Sequence, residues 1–261
     1  MKWLVAGTAI AVGAGLVGVP SPAAAVPGGC DPDFEIVDHR GAHNPRDENT
    51  VPAIRLGARR GESIEIDVSA TSDGHLILMH DNRIDRTTNG DGLVAEMTFE
   101  EIRTYRTEPH GEIIPTLDEA LTAAAPYGVD VYLDVKNRTD EVLLDVAQII
   151  RNHYMADRVL VTSWTGKMNV LTDDILLQYK PDGEAPTVAD VQQKDASSVG
   201  LRRSQMSHAL VNDLRLAGIE VHSRLVSTPA AWDRVTRYAI QGALTNKPLQ
   251  LTEYCSPPSI G

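Results

Sequence analysis

The chain is poor in basic residues, and this shortage narrows its possible functions. It has 24 Lys and Arg against 36 Asp and Glu, which gives a formal net charge of −12. Because nucleic-acid binding depends on basic contacts to phosphates, we expect no DNA or RNA partner. A small phosphorylated substrate is not excluded, since one local cationic pocket is enough to bind it. The length of 261 residues and the hydrophobic content of 42% suit one large globular domain.

Long hydrophobic runs are also scarce, and the one that is present lies at the N-terminus. A lysine precedes the apolar stretch from Trp3 to Val19, and two prolines and three alanines follow it. This order is typical of a secretory signal peptide, and the run is too short and too rich in glycine for a membrane anchor. The sequence predicts a signal peptide at 1–25, cleaved after Ala25, and a mature domain at 26–261. We therefore expect a secreted, extracellular protein without stable membrane insertion.

Cysteine is nearly absent, with Cys30 and Cys255 as its two occurrences. Both would remain after signal cleavage, and secretion would expose them to an oxidising compartment. They lie near opposite ends of the mature chain, and the first and last strands of a closed barrel are neighbours. The favoured interpretation is a Cys30–Cys255 disulfide, and lipidation of Cys30 is the weaker alternative.

Short apolar runs recur along the chain, separated by segments that can form helices. The runs are "FEIVDHR", "SIEIDVS", "VDVYLDVK", "RVLVTSW", "DILLQYK", "SSVGLR", "GIEVHSR" and "GALTN". The helical segments include Val51–Arg60, Thr116–Tyr127, Asp140–His153 and Ser207–Ala217. Strands that alternate with helices favour a parallel sheet, and eight of them favour an α/β fold of the (β/α)₈ TIM-barrel type. A doubly wound open sheet is the alternative.

The stretch "EIDVSATSDGHLILMHD" indicates a β-hairpin excursion after the second barrel strand. Asp73-Gly74 is a strong signal for a two-residue turn, which would pair Asp67 with His80. Gly74 would adopt a positive φ. We then expect one polar face and one apolar face, the latter made by Ile64, Ile66, Val68, Ile77 and Met79.

Carboxylates at the strand ends predict a metal site. Glu65 and Asp67 stand two apart on one strand, and Asp134 ends the next barrel strand. In a barrel these ends meet at the face that carries the active site. Oxygen ligands of this kind suit a hard divalent cation such as Ca²⁺ or Mg²⁺. His80 fits acid–base work better than ligation, because such sites rarely need imidazole.

Further ionisable residues lie at the same strand ends. His39 and Arg40 end the first strand, and Lys136 ends the third. A second histidine suits acid–base catalysis, and the two cations suit a phosphate with developing negative charge. The alternative is a set of surface salt bridges without catalytic meaning.

Three motifs resemble the signatures of the glycerophosphodiester phosphodiesterase family. They are "HRGAHNPRDENT", "EIDVSATSDG" and "HDNRIDRTTNGDG", whose order and spacing agree with the family pattern from His39 to Gly92. Weaker similarity extends through "IPTLDEAL", "YLDVK", "VLVTSW" and "ALTNKP". The resemblance implies a (β/α)₈ barrel that hydrolyses glycerophosphodiesters to glycerol 3-phosphate and an alcohol with a divalent metal. A small-molecule phosphodiester or a lysophospholipid is thus the expected substrate.

The resemblance also implies a role for each matching residue. His39 and His80 would be the catalytic pair, Arg40 and Lys136 would bind the phosphate, and Glu65, Asp67 and Asp134 would hold the metal. Glu48 of the Glu-Asn-Thr motif would support the site by orienting His39 or Arg40 or by approaching the metal. The segment 82–115 resembles a small inserted cap, in which we interpret Asp85 to Gly92 as a structural turn.

The sequence departs from the family pattern in several places. Asp134 replaces a glutamate, Asp47 replaces a proline, and Asn246 replaces an aspartate. The segment from His222 to Leu225 lacks the tryptophan that the family often carries there, which affects the pocket for the alcohol. Two alternative functions remain: a sphingomyelinase D-like phospholipase that acts on choline lipids, and a non-catalytic barrel that binds the cell wall or a ligand.

Overall fold

Eight parallel strands close into a barrel surrounded by helices in the computed structural model, which describes residues 30–164, 170–171 and 174–256. The predicted signal peptide lies outside the described residues. The strands are β1 (Glu35–His39), β2 (Ser63–Ala70), β3 (Leu76–Leu78), β4 (Val131–Val135), β5 (Val159–Ser163), β6 (Leu176–Tyr179), β7 (Ser198–Leu201), β8 (Glu220–Ser223) and β9 (Gly242–Thr245). The helices are α1 (Val51–Ala58), α2 (Phe99–Ile102), α3 (Leu117–Ala124), α4 (Asp140–Asn152), α5 (Val188–Gln192), α6 (His208–Leu216), α7 (Pro229–Thr236) and α8 (Pro248–Cys255).

The barrel closes because β1 pairs in parallel with both β2 and β9. An open sheet would leave β1 or β9 at an edge, so the predicted TIM barrel is confirmed and the open sheet is excluded. All eight predicted barrel strands are present, and β3 is the predicted antiparallel excursion against β2.

Local sequence determines where the helices begin and which side they bury. Before α4, the Thr139 side chain accepts a hydrogen bond from the backbone N–H of Val142, and two acids follow in the first turn. Leu143, Val146 and Ile150 recur at three- and four-residue spacing and are fully or nearly fully buried. This is the pattern of a capped amphipathic helix that packs one face on the barrel.

The hairpin after β2 differs from the prediction by one residue in register. Ser69 pairs with Ile77, and the backbone N–H of Thr71 donates to the carbonyl of His75, so three residues form the loop. Asp67 therefore lies beside Met79 rather than His80. The predicted pairing was wrong because Gly74, with φ +85°, closes a three-residue loop and not a two-residue turn.

The two faces of β3 also differ from the prediction, because both are apolar and buried. Leu76 and Leu78 join the main core with the β2 residues Ile64, Ile66 and Val68. Ile77 and Met79 instead pack in a second cluster with residues of the inserted segment, namely Ile84, Val94, Ile102 and Ile114. The inserted segment thus covers Ile77 and Met79, which were predicted to share a face with Ile64, Ile66 and Val68. The limits 82–115 and 26–261 stay predictions.

The predicted disulfide is confirmed. Cys30 and Cys255 are bonded, with their Cα atoms 4.8 Å apart. The bond joins the segment before β1 to the last residue of α8. Across the described ranges, no helix combines the length and the apolarity needed to cross a membrane.

Candidate active site

The parallel register brings the polar strand ends together at one end of the barrel. His39 at the end of β1 lies beside Glu65 of β2, and Asp67 lies beside Asp134 of β4. Because all eight barrel strands run the same way, their C-terminal ends meet at a single face, as in other barrels of this architecture. The strand order thus places an imidazole and three carboxylates on adjacent strands.

The three carboxylates form a cluster that fits a hard cation. One oxygen each from Glu65, Asp67 and Asp134 lies within 4.8 Å of the others, and the residues are only 3%, 1% and 7% exposed. The ammonium of Lys136 lies against this cluster, 2.7 Å from Asp67 Oδ1 and 2.8 Å from Asp134 Oδ2. A cation is therefore accommodated by these oxygens. The all-oxygen donor set suits Ca²⁺ or Mg²⁺.

The pKa shifts within the cluster also favour a bound cation. Burial, followed by the charges of Asp67 and Asp134, raises the pKa of Glu65 well above its usual range. Burial opposes ionisation of Asp134 too, but Lys180 and Lys136 lower the pKa of that carboxyl. Three buried acids at this spacing repel one another, so positive charge nearby stabilises their ionised forms.

Arg40 connects the loop after β1 to the carboxylate cluster. Its backbone is left-handed, with φ 60°, and its N–H donates to Glu65 Oε2 at 3.0 Å. Its guanidinium lies 3.3 Å from Asp67 Oδ2 and donates to Glu48 Oε1 at 2.9 Å. Of the three predicted roles for Glu48, the geometry therefore supports contact with Arg40. Asn49 also donates to Asp67 Oδ2, at 2.9 Å.

The hydrogen bond of His39 defines the orientation of its ring. Nδ1 lies 2.6 Å from Asn246 Oδ1, and Nε2 lies 4.0 Å from Glu65 Oε2. An amide oxygen can only accept, so Nδ1 carries the proton and Nε2 faces the cluster with its lone pair. Burial, followed by the charge of Arg40, lowers the pKa of His39 to about 4. Sequence reasoning noted Asn246 as a departure and missed that it positions His39.

His80 follows β3 and is linked to the site through a chain of ion pairs. Its Nδ1 lies 2.6 Å from Asp81 Oδ1. Arg86 contacts Asp81 through Nε and donates to Glu48 at 2.6 Å. Glu48 in turn holds Arg40, which contacts the carboxylates. Among the described residues, no hydrogen bond or ion pair joins His80 directly to the three carboxylates.

The segment from Asp85 to Gly92 therefore does more than form a turn. Arg86 within it bridges the loop after β1 and the loop after β3 through two carboxylates. Its place in the quoted "DRTTNG" motif was the available signal, but a basic residue in a turn does not reveal its partners. Asp47, another departure, binds the inserted segment by accepting from Thr107 Oγ1 at 2.6 Å and from His110 Nδ1 at 2.7 Å.

Comparison with known proteins points to the family that the sequence motifs resemble. The sequence model described as "Glycerophosphoryl diester phosphodiesterase family" matches residues 39–250. A mouse protein named glycerophosphodiester phosphodiesterase 1 is 41% identical over 113 residues, which cover 40% of this chain and 34% of that protein. The aligned part thus spans about a third of that relative's length.

Solved structures share the fold over most of this chain. A glycerophosphodiester phosphodiesterase from Agrobacterium tumefaciens has a TM-score of 0.73 and 27% identity, covering 82% of this chain and 97% of that one. An Oleispira antarctica phosphodiesterase, solved with the product sn-glycerol-3-phosphate, has a TM-score of 0.75 and 22% identity, covering 84% and 96%. Since the family model spans most of the sequence, the chain belongs to the glycerophosphoryl diester phosphodiesterase family.

Proposed function

We propose that this protein hydrolyses glycerophosphodiesters to glycerol 3-phosphate and an alcohol. The observation that carries the proposal is the convergence of three buried carboxylates, Glu65, Asp67 and Asp134, beside a histidine at the C-terminal end of the barrel. Membership of the family and the product named in the Oleispira antarctica structure support the same reaction.

The three carboxylates would hold a divalent metal, Ca²⁺ or Mg²⁺. Such an ion supplies Lewis-acid polarisation of a phosphoryl oxygen and neutralises charge that develops on it. Arg40 and Lys136 lie beside the same carboxylates and would donate to the remaining phosphate oxygens. Arg40 is held by Glu48, which limits the orientations of its guanidinium.

The hydrogen bonds of the two histidines suggest different roles in the reaction. Because Asn246 takes the proton on Nδ1, His39 presents a free Nε2 lone pair and would act as the base toward the 2-hydroxyl of glycerol or a water. Asp81 lies 2.6 Å from Nδ1 of His80 and orients its ring, so His80 would protonate the leaving alcohol through Nε2.

We also propose that the protein acts outside the cell. The Cys30–Cys255 bond requires an oxidising compartment, which agrees with the predicted signal peptide at 1–25. A lysophospholipid would be a second substrate class, since it has the same glycerol phosphodiester with one acyl chain.

A substrate panel tests the proposal. Glycerophosphocholine, glycerophosphoglycerol, lysophosphatidylcholine and sphingomyelin are incubated with Ca²⁺, with Mg²⁺ or with EDTA. Enzymatic assays measure glycerol 3-phosphate from the first two and choline from the two lipids. We expect release with at least one of the two metals and none with EDTA. Release of choline from sphingomyelin without action on glycerophosphodiesters would indicate the sphingomyelinase D-like alternative. No hydrolysis of any of these substrates would favour the non-catalytic barrel.

Histidine variants test the assigned roles. His39→Ala and His80→Ala should each lower kcat about 10²–10⁴-fold, and the double variant should be little worse than either one. His75→Ala is the matched control, because His75 directly follows the hairpin loop and stacks on Phe99. Near-normal turnover of His80→Ala, or loss of its metal binding, would contradict the acid role.

A further inference from the structure

Two cations and one aromatic ring lie at the barrel end that carries the carboxylates, but on other strands. Trp164 directly follows β5, Lys180 directly follows β6 and Arg224 directly follows β8. Lys180, Arg224 and Glu65 line one and the same cavity. The closed strand order puts β8 opposite β4, and β6 two strands from β4 and three from β2. A substrate bound at the carboxylates would therefore extend toward these cations.

The ammonium of Lys180 has no partner in direct contact, although its charge acts on the buried carboxyls of Asp134 and Glu65. The residue is 6% exposed, and its charged group forms no hydrogen bond or ion pair with any described residue. It lies 5.9 Å from the centre of the Trp164 ring. Its stem packs beside Gly200, where an added Cβ would meet Lys180 Cγ at 3.2 Å. A buried ammonium without a partner is costly, which suits a site completed by an anion.

Arg224 is held over the same indole ring. Its guanidinium carbon lies 4.6 Å from the ring centre of Trp164, and the group donates to the carbonyls of Gly200 and Pro181. These acceptors are neutral, so they orient the guanidinium without cancelling its charge. Trp164 thus lies beside both cations and offers a flat apolar wall.

The nearest carboxylate to Arg224 is shared with another arginine. Asp182 lies 3.8 Å from Arg224 Nη1 but 2.7 Å from Arg202 Nη2, and its side chain is largely exposed. Burial, followed by the charge of Arg202, lowers the pKa of Arg224 to about 10. The described residues of this region therefore keep a surplus of positive charge.

The charge of the substrate indicates which group these cations bind. Arg40 and Lys136 already provide positive charge beside the carboxylates for the scissile phosphate. The glycerol of a glycerophosphodiester carries only hydroxyl groups. A second negative charge on such a substrate must therefore lie on the alcohol that leaves.

We propose that Lys180 and Arg224, with Trp164 beside them, form a subsite for an anionic group on the leaving alcohol. The group is a carboxylate or a phosphate monoester, and Arg224 presents the planar donors that bind either in a bidentate manner. This inference rests on the proposed hydrolysis and names its substrate class. It also gives a role to Arg224 in the segment from His222 to Leu225, which lacks the tryptophan that the family often carries there.

The test compares three diesters that differ in the charge of the alcohol. Glycerophosphoglycerol is neutral there, the glycerophosphodiester of glyceric acid carries a carboxylate, and glycerophosphoglycerol phosphate carries a phosphate monoester. The kcat/KM of each is measured for the wild type, Arg224→Gln and Lys180→Met. Arg202→Gln is the matched control, because it removes a nearby charge outside the cavity lining. Circular dichroism and thermal melting check that each variant is folded.

We expect the wild type to prefer at least one anionic substrate over glycerophosphoglycerol by about ten- to a hundredfold, the range of one or two charged hydrogen bonds. Arg224→Gln and Lys180→Met should each remove most of that preference, mainly by raising KM, and Arg202→Gln should keep it. Arg224→Lys retains the charge and should keep part of the preference, which provides a second variant if Arg224→Gln does not fold.

The outcomes separate this inference from the proposed function. If the wild type hydrolyses glycerophosphoglycerol and shows no preference for either anionic substrate, the inference is wrong and the hydrolysis stands. An equal loss on all three substrates in Arg224→Gln would also refute it, since the cations would then bind the scissile phosphate. No hydrolysis of any of the three would refute the proposed function, and the inference with it.

Discussion

Removal of the Cys30–Cys255 bond should destabilise the protein without changing its chemistry. The perturbation is the double variant Cys30→Ser, Cys255→Ser. The bond closes a loop with a sequence separation of 225 and joins the segment before β1 to the end of α8. Cys30 precedes the N-terminal end of β1, whereas His39 ends that strand, so the bond lies away from the candidate active site.

The expected magnitude follows from the length of the loop. In the chain-entropy treatment, a loop of this size corresponds to about 5 kcal/mol at 25 °C, and measured losses of native disulfides are typically about 2–5 kcal/mol. Asp31, Pro32 and Asp33 beside Cys30 are exposed, so little packing is lost with the bond. The effect should therefore act mainly on the unfolded chain. In a domain of this size, a loss of about 2–5 kcal/mol lowers Tm by roughly 4–20 °C.

Urea unfolding followed by tryptophan fluorescence would measure this loss. The wild type and the double serine variant are each unfolded with and without dithiothreitol. Dithiothreitol should bring the wild type to the stability of the variant and leave the variant unchanged. The kcat of the folded variant should equal that of the wild type. A variant within about 0.5 kcal/mol of the oxidised wild type would refute the reasoning, because surface substitutions alone have effects of that size.

Three further predictions concern the site and its surroundings. Asp67→Asn keeps the shape of the side chain but removes a charge from the carboxylate cluster. Ca²⁺ or Mg²⁺ should therefore raise the Tm of the wild type and not that of the variant. An equal rise in both would contradict the metal assignment. Asn246→Leu removes the acceptor for Nδ1 of His39 and should lower kcat about ten- to a hundredfold. Asn246→Asp keeps an acceptor and should retain more activity. Equal kcat values for both variants would refute the positioning role. Burial, followed by the neighbouring Glu62, raises the pKa of Asp38 to about 9, so the folded protein keeps a proton that the unfolded chain releases above about pH 4. The free energy of unfolding should therefore fall as pH rises from about 4 to 9, by up to about 1.4 kcal/mol per unit, and urea unfolding of Asp38→Asn should show a flatter dependence; an unchanged slope would contradict the assignment.

The barrel could be predicted from the sequence because its strands are buried on both faces. Parallel strands of this kind appear as short apolar runs that end in polar residues, and β4, with Val131 to Val135, is one example. The carboxylates could be predicted for the same reason. Glu65, Asp67 and Asp134 are polar residues inside or at the end of such runs, and the barrel geometry brings those ends together.

The hairpin register could not be predicted, because two different loops suit the same Asp73-Gly74 signal. A positive φ at Gly74 occurs in both, and the choice shifts every side chain on β3 to the other face. Alternation along "LILM" gave no help, since both faces of this strand are apolar. Ile77 is covered by residues of the inserted segment, which lie outside the hairpin and which the hairpin sequence does not reveal.

The contact partners of Arg86 and Asn246 also could not be predicted from the sequence. Arg86 contacts Glu48, which is 38 positions away, and Asn246 contacts His39, which is 207 positions away. Such pairs depend on which loops meet after the barrel closes. Both residues lie in segments that resemble the family pattern. Their roles became clear only from their contacts in the structure.

Charge balance separates the candidate active site from a second polar cluster in the same barrel. Near the other end, Glu35 Oε2 accepts from Tyr132 at 2.7 Å and lies 2.6 Å from His222 Nε2. Burial opposes ionisation of Glu35, but its hydrogen bond and ion pair with His222 lower the pKa of this carboxyl. At the C-terminal end, three acids lie within 4.8 Å, and burial together with mutual repulsion raises the pKa of Glu65. The pKa of Glu65 stays raised although Lys136 and Arg40 lie beside the three converging carboxylates, so this cluster, and not the one around Glu35, is the place to bind a metal and, through it, a phosphate.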